Sequence, residues 1–229
     1  MRRIALDTET TGLNPLDGHR IVEIGCIELD INMPTGKEWH AYVNPERTMP
    51  EAAFAVHGLS ESFLLKKPIF KDIAQDFIGF INGAELVIHN AEFDIGFINN
   101  ELKKIKHEVS DIRDICTVFD TLIHARKIFP GQRNNLDALS SRLGISGYDR
   151  THHGALLDAQ ILAETYLNLT GGQVTFDLAQ NSANPDIKED KSQKTNLQFI
   201  KFSSNNTDEI EHNKFKEMMA ERKEKEANR

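Results

Sequence analysis

The spacing of apolar residues changes part-way along the chain. Three early segments, residues 3–7, 20–29 and 37–43, have the period-two character of strands. Further on, the short apolar segments 85–89 and 115–119 alternate with stretches that have the spacing of amphipathic helices. This change predicts an α/β fold whose sheet has an antiparallel part followed by a parallel part.

The predicted helices begin and end at recognisable residues. Ser60 opens a short helix, Pro68 occupies the first position of the next, and Gly83 closes that second helix. The other predicted helices cover residues 93–105, a segment ending near Phe129, residues 136–143, and residues 155–169, the last closed by Gly171 and Gly172.

Composition limits the kind of protein. At 229 residues the chain can bury one substantial core. Cys26 and Cys116 match no metal-binding or redox spacing, which favours a reduced, cytoplasmic protein. No signal-peptide pattern and no apolar run of about 18 residues is present, so no membrane association is expected. The net charge of −8 argues against gripping a long nucleic acid by its phosphates, but not against binding a few nucleotides through metal ions.

Composition also divides the chain. Residues 1–173 hold all the predicted strands and form the expected folded domain. Residues 174–195 are poor in apolar side chains and are expected to be a flexible linker. Residues 196–229 contain a brief apolar stretch and a charged stretch that is compatible with a helix.

Asp7 and Glu9 lie two residues apart at the end of the first predicted strand, in LDTETTG. Side chains at i and i+2 of a strand point the same way, so both carboxylates share one face of the sheet. At an effective dielectric constant of about 20, two unit charges about 4 Å apart repel by about 4 kcal/mol. Protonation, a cationic side chain or a metal ion must offset that repulsion.

Two later motifs supply further carboxylates and a histidine. HNAEFD places Asp94 at the start of a helix, and HHGALLD places His153 in a loop before a helix that carries Asp158. Each acid alone could be an ordinary helix-start acid. Together the motifs bring acids to strand ends and helix starts, where sites in α/β sheets lie. Because Mg²⁺ and Mn²⁺ prefer oxygen ligands, the motifs predict a divalent-metal site with the histidine as general base.

DTETTG, HNAEFD and HGALLD resemble the three motifs of the DEDDh exonucleases, and the resemblance extends over residues 1–173. It is greatest to the branch that proofreads for bacterial DNA polymerase III. The resemblance implies a ribonuclease H-like α/β fold with a five-stranded mixed sheet and a flexible C-terminal tail. It also implies stepwise 3′-to-5′ hydrolysis that releases 5′-mononucleotides, with two divalent cations, Mg²⁺ or Mn²⁺, as cofactors.

The resemblance also assigns the catalytic roles. The implied metal ligands are Asp7, Glu9, Asp94 and Asp158. His153 would be the general base, and Gly154 occupies the place where a sister subclass has tyrosine, so the histidine subclass fits.

Substrate contacts are implied by the same resemblance. The implied residues are Asp7, Glu9, His57 and Asp158. The family often carries a glutamate upstream of the histidine in FAVHGL, and Glu51 is the acid available there. Counting back from His57 reaches Ala52 instead, so both positions stay open.

Several other polar or aromatic residues have structural interpretations. Asp120 and Asp137 are expected to be helix-start acids. His89 is expected to be packed or hydrogen-bonded at a strand end, and Trp39 to pack against the sheet. His152 is expected to be the flexible neighbour of the base.

The resemblance also implies binding partners, some of which the tail would contact. The resemblance implies a DNA 3′ end and the alpha (polymerase) subunit of DNA polymerase III, with the theta subunit and the beta sliding clamp as further candidates. Residues 173–178 (QVTFDL) resemble a short clamp-binding motif, although a chance hexapeptide is an almost equal alternative. The candidate anchors for the polymerase are residues 196–202 and the apolar stripe 210–219.

Two other functions compete with proofreading. A freestanding enzyme of this family would trim RNA or short oligonucleotides, but it has little need of so long a tail. A non-catalytic replisome scaffold is the alternative of another class. It is disfavoured because all five catalytic positions are filled.

Overall fold

The computed structural model describes residues 2–30, 33–148 and 152–181, with side chains up to residue 171. Five strands form one sheet in the order β3–β2–β1–β4–β5. They are β1 Arg3–Thr10, β2 Ile21–Leu29, β3 Pro34–Tyr42, β4 Glu85–Ile88 and β5 Thr117–Asp120. β1 to β3 are antiparallel neighbours, whereas β4 runs parallel to both β1 and β5. The predicted α/β fold with a five-stranded mixed sheet is therefore confirmed.

Seven α-helices connect or cover the strands in the described part of the chain. They are α1 Glu51–His57, α2 Glu61–Leu64, α3 Phe70–Ile81, α4 Ala91–Lys104, α5 Thr121–Ile128, α6 Leu136–Arg142 and α7 Ala155–Asn181. Helix α1 was not predicted, although Pro50 precedes it and Gly58, at φ +70°, ends it. Pro68 lies before the N-cap residue Ile69 of α3, so its predicted place at the first helical position is wrong.

Helix α7 is longer than its sequence predicts. It continues through Gly171 and Gly172 to Asn181, so the predicted stop at the two glycines is wrong. Each glycine costs a helix about 1 kcal/mol relative to alanine but keeps its N–H donor, so it weakens a helix without ending it. The backbone of residues 174–181 is helical where a flexible linker was predicted. Residues 182–195 and the candidate anchors at 196–202 and 210–219 lie outside the described residues.

The sheet has a core on each face, because successive residues of a strand point to opposite sides. Ile4 and Leu6 of β1 belong to the core that α3 and α4 complete, whereas Ala5 belongs to the core that α7 completes. Within the described residues, none of the helices combines the length and apolar composition that crossing a bilayer requires.

Candidate active site

Strand β1 presents its acids and its threonine to opposite faces. Asp7 and Glu9 continue the side of Ala5, so they face α7, whereas Thr8 between them faces α4. All three residues lie at the carboxyl end of β1, next to the parallel strand β4. Sites in α/β sheets form at this edge.

Gly25 brings the start of α7 onto the face that carries the acids. It pairs with Asp7 across the β1–β2 ladder, so its missing side chain would point to the same face. A Cβ built at Gly25 would come within 2.4 Å of the backbone of Ala155 and Leu156. The absence of that atom lets the first turn of α7 pack directly on β2, and this turn carries Asp158.

Glu9, His153 and Asp158 form one group at the start of α7. Each offers one ligand atom, and these atoms all lie within 4.8 Å of one another. The Nδ1 atom of His153 lies 3.0 Å from Oδ2 of Asp158. Asp158 is 4% exposed, whereas Glu9 and His153 are half-buried. Two carboxylates and an imidazole this close can hold a cation or move a proton.

Asp94 lies in the first turn of α4, outside the group formed by Glu9, His153 and Asp158. The Thr8 hydroxyl donates to Oδ1 of Asp94 at 2.7 Å, and both side chains are buried. Burial raises the pKa of Asp94 to about 7, and the Thr8 hydrogen bond opposes that rise. Thr8 thus joins the third predicted ligand, Asp94, to the strand that carries the first two.

A cavity of about 640 Å³ adjoins the acids. The end of β1 and the following loop line one side, and α1 lines the other through Ala52, Ala53, Val56 and His57. The cavity walls include Glu9 and Ala52, whereas Glu51 is exposed and does not line the cavity.

His57 offers a hydrogen-bond donor beside this cavity. Its Nδ1 accepts from the backbone N–H of Leu59 at 3.0 Å, so the neutral ring carries its proton on Nε2. That Nε2 atom is buried and has no hydrogen-bond partner among the described residues. Burial lowers the pKa of His57, which keeps the ring neutral near pH 7. A neutral donor in this position suits an oxygen of a bound ligand.

Glu23 is a further buried acid that sequence reasoning missed. It pairs with Glu9 across the β1–β2 ladder and contacts Nε2 of His40 at 2.7 Å. The alternating pattern of β2 could have revealed Glu23. It places this acid on the side of the sheet that α7 covers, next to the predicted ligand Glu9.

The structure confirms the structural roles predicted for Asp120, Asp137, His89 and Trp39. Asp120 caps α5 through the N–H groups of Leu122 and Ile123, and Asp137 lies in the first turn of α6. Nδ1 of His89 lies 3.0 Å from the Thr121 hydroxyl, and Trp39 packs on Phe77. His152 is exposed and lies over Gly58.

A family model described as an exonuclease matches residues 4–166, which contain every predicted site residue. The chain belongs to the exonuclease family. The DNA polymerase III epsilon subunit of Salmonella typhimurium is 51% identical over 182 residues, which cover 78% of this chain and 75% of the relative. The epsilon subunit of Haemophilus influenzae is 53% identical over 179 residues, covering 76% and 70%. The solved structure of exonuclease X in complex with 5′ overhanging duplex DNA covers 76% of this chain and 92% of that one, with 25% identity and a TM-score of 0.58.

Within the exonuclease family, these identities place the chain among the DNA polymerase III epsilon subunits, the proofreading 3′-to-5′ exonucleases. The resemblance that three short motifs carried is thereby confirmed, and so is the enzymatic class. The family depends on metal ions, and Glu9, His153 and Asp158 form a possible metal site in this chain.

Proposed function

We propose that the chain removes mispaired 3′-terminal nucleotides from DNA as 5′-mononucleotides, using two divalent cations, Mg²⁺ or Mn²⁺. The metal ligands in this proposal are Asp7, Glu9, Asp94 and Asp158, and the general base is His153. The strongest support is the group of Glu9, His153 and Asp158 beside a cavity large enough for a nucleotide.

The donor set fits hard divalent cations. Glu9 and Asp158 offer carboxylate oxygens within 4.8 Å of each other, and Asp7 extends the same face by a further carboxylate. Asp94 offers Oδ2, because Thr8 occupies Oδ1. When bound, the cations would supply positive charge to the phosphodiester and lower the pKa of the attacking water.

His153 has a different task from the carboxylates. An imidazole nitrogen is a poorer ligand for Mg²⁺ than a carboxylate oxygen, so its place in the group favours proton transfer. When Nδ1–H donates to Oδ2 of Asp158 at 3.0 Å, Nε2 carries the lone pair that can accept a proton from water. Asp158 therefore orients the base as well as offering a metal ligand.

The cavity beside this group would receive the terminal nucleotide. Apolar side chains of α1 can pack against the sugar and base, and Nε2–H of His57 can donate to a sugar or phosphate oxygen. Ala52, and not Glu51, faces this space.

The proposal also covers the protein partners of the chain and its location in the cell. Association with DNA polymerase III through its alpha subunit, and further contacts with theta or the beta clamp, would tether the nuclease to the primer end in the cytoplasm. A tether raises the local concentration of the active site, up to the millimolar range for short linkers. That helps a chain with a net charge of −8 reach an anionic substrate.

A mispaired primer tests the function. We expect the full chain to release 5′-mononucleotides from a mispaired DNA 3′ end in Mg²⁺ or Mn²⁺ and to release none in excess chelator. Asp7→Ala should abolish release, whereas Asp76→Ala, on the exposed side of α3, should leave it unchanged. Full activity in chelator would contradict the metal mechanism, and faster hydrolysis of a matched RNA oligonucleotide would favour the freestanding alternative.

A further inference from the structure

The loop that carries His153 contacts the last turn of α1 at two points. The backbone N–H of His153 donates to the carbonyl of Val56 at 3.1 Å. The imidazole of His152 lies over Gly58, where a built Cβ would come within 2.2 Å of the ring carbon Cδ2. Both contacts are made to the backbone of α1, so the position of that helix end limits where the loop can lie.

Helix α1 also forms a wall of the cavity. Val56 contributes to both functions, because its side chain lines the cavity while its carbonyl accepts from His153. His57 follows it and offers its Nε2–H beside the same space. A ligand that packs against this helix therefore packs against the support of the catalytic loop.

We propose that α1 is the positioning element of the catalytic histidine and couples occupation of the cavity to the placement of His153. This role rests on the proposed function, because it takes His153 as the general base. The His153 side chain is 41% exposed and has its 3.0 Å contact with Asp158 as one anchor. The backbone contact with Val56 and the ring of His152 on Gly58 supply the other. A displacement of about 1 Å at a catalytic group can lower turnover by about 10²-fold, so the second anchor matters.

Two glycines allow this role to be tested with a matched control. Gly58 and Gly83 both lie just beyond the end of a helix, at φ +70° and φ +73°. Alanine at either position carries a similar backbone strain of about 1–2 kcal/mol. Among the described residues, a Cβ at Gly83 meets no atom within 4 Å, whereas a Cβ at Gly58 meets the His152 ring. The difference between the two variants isolates the contact with the loop.

We expect Gly58→Ala to lower kcat by about 10²-fold on a single-stranded DNA oligonucleotide in saturating Mg²⁺, with KM changed only a few-fold. Gly83→Ala should keep the wild-type kcat, although the positive φ should lower the thermal stability of both variants. Adding His152→Ala to Gly58→Ala removes the ring that the new methyl group meets. The double variant should therefore match the kcat of His152→Ala alone.

Three results would overturn the positioning role. The first is equal kcat values for the two glycine variants, and the second is a change confined to KM. The third is a double variant whose kcat lies below that of His152→Ala alone. If Gly58→Ala does not fold, Gly58→Asn compared with Gly83→Asn makes the same test, because asparagine tolerates positive φ. Wild-type protein that hydrolysed no DNA in Mg²⁺ would instead contradict the proposed function.

Discussion

The acids around the sheet divide into two sets by the cationic residue type that they contact. The first set contacts arginine: Glu28 with Arg2, Glu85 with Arg3, and Glu101 with Arg20. The second set contacts histidine: Asp158 with His153, and Glu23 with His40. The second set lies on the side of the sheet that α7 covers. Asp7 and Glu9 of β1 lie on the same side, where metal binding is proposed.

The charge of the partner side chain determines whether an acid remains available to bind a metal ion. Arginine stays protonated throughout the ordinary pH range, and the hydrogen bonds that Arg3 and Arg20 donate to Glu85 and Glu101 raise the pKa of both arginines further. An acid paired with arginine is therefore neutralised permanently and serves the fold. Histidine as a residue type loses its charge near neutral pH, so an acid beside it keeps a negative charge that a metal ion can use.

The largest expected effect comes from removing an acid of the histidine-paired set. Asp158→Asn should lower turnover by at least about 10³-fold, because it removes a charge that stabilises the transition state through the metal ions. The metal-free protein should unfold at a higher temperature than wild type, because repulsion with Glu9 within 4.8 Å is relieved. Turnover in Mg²⁺ and calorimetry in chelator check the two parts, with Asp76→Asn as control. A fall in both activity and metal-free stability would place Asp158 with the structural acids.

The opposite outcome is expected for an acid of the arginine-paired set. Glu101 is 1% exposed and receives Nε and Nη2 of Arg20 at 2.6 and 2.8 Å. Glu101→Gln should lower the free energy of unfolding by about 3 kcal/mol, because it removes the buried counter-charge of Arg20 and leaves the half-exposed Glu46, 3.6 Å away, as its acidic contact. Turnover per folded molecule should stay at the wild-type value.

The matched control for that measurement lies on the same helix. Glu92 contacts Arg113, but its side chain is 82% exposed. Glu92→Gln should change the free energy of unfolding, measured in urea, by about 1 kcal/mol or less. Equal losses from both variants would show that burial does not separate these two ion pairs.

Much of the site can be predicted from the sequence, because the motifs that contain its residues lie at the ends of strands and the starts of helices. Period-two alternation assigns Asp7 and Glu9 to one face, and the helix signals around Gly154 place Asp158 one turn into α7. Parallel pairing of β1 with β4 then brings Asp94 to the same edge. Local pattern and chain topology suffice for these positions, since each depends on elements that the sequence marks clearly.

Other parts of the site depend on contacts between distant segments. Gly25 has an unremarkable φ, and its importance appears only when the backbone of Ala155 packs over it. Thr8 gains its role from a helix 86 residues further along the chain. Helix α1 was missed because its apolar residues are consecutive and mostly exposed, so they show no helical period, although Pro50 and Gly58 mark its ends. Periodicity cannot reveal such tertiary contacts.

Asp94 contacts neither arginine nor histidine through a described hydrogen bond, but a neutral hydroxyl. The expected effect of changing this contact on turnover is intermediate in size. Asp94 is held by a neutral hydroxyl, because Thr8 donates to it at 2.7 Å in a buried setting. Loss of a hydrogen bond to a charged group costs about 1.5–3 kcal/mol, which corresponds to about 10- to 10²-fold. Thr8→Val should lower turnover and Mn²⁺ affinity by that factor, whereas Thr8→Ser should keep most of both. Equal losses in calorimetric Mn²⁺ titrations of the two variants would show that the hydroxyl, which only Thr8→Val removes, is not what holds Asp94.

The smallest effect is expected at Glu28, the arginine-paired acid whose cationic partners, Arg2 and Lys37, are the most exposed. The hydrogen bond from Arg2, helped by Lys37, lowers the pKa of Glu28 below its ordinary value of about 4.3. A lowered folded-state pKa means that the stabilisation is present above the unfolded pKa and is lost as the pH falls through the folded one. Glu28→Gln should therefore cost about 1 kcal/mol or less at pH 7, and the gap from wild type in urea unfolding should narrow as the pH falls below the ordinary glutamate pKa of about 4.3. Glu38→Gln, on the exposed side of β3, should show no such gap. A gap that stayed constant as the pH fell would mean that Glu28 stabilises the fold through packing and not through its charge.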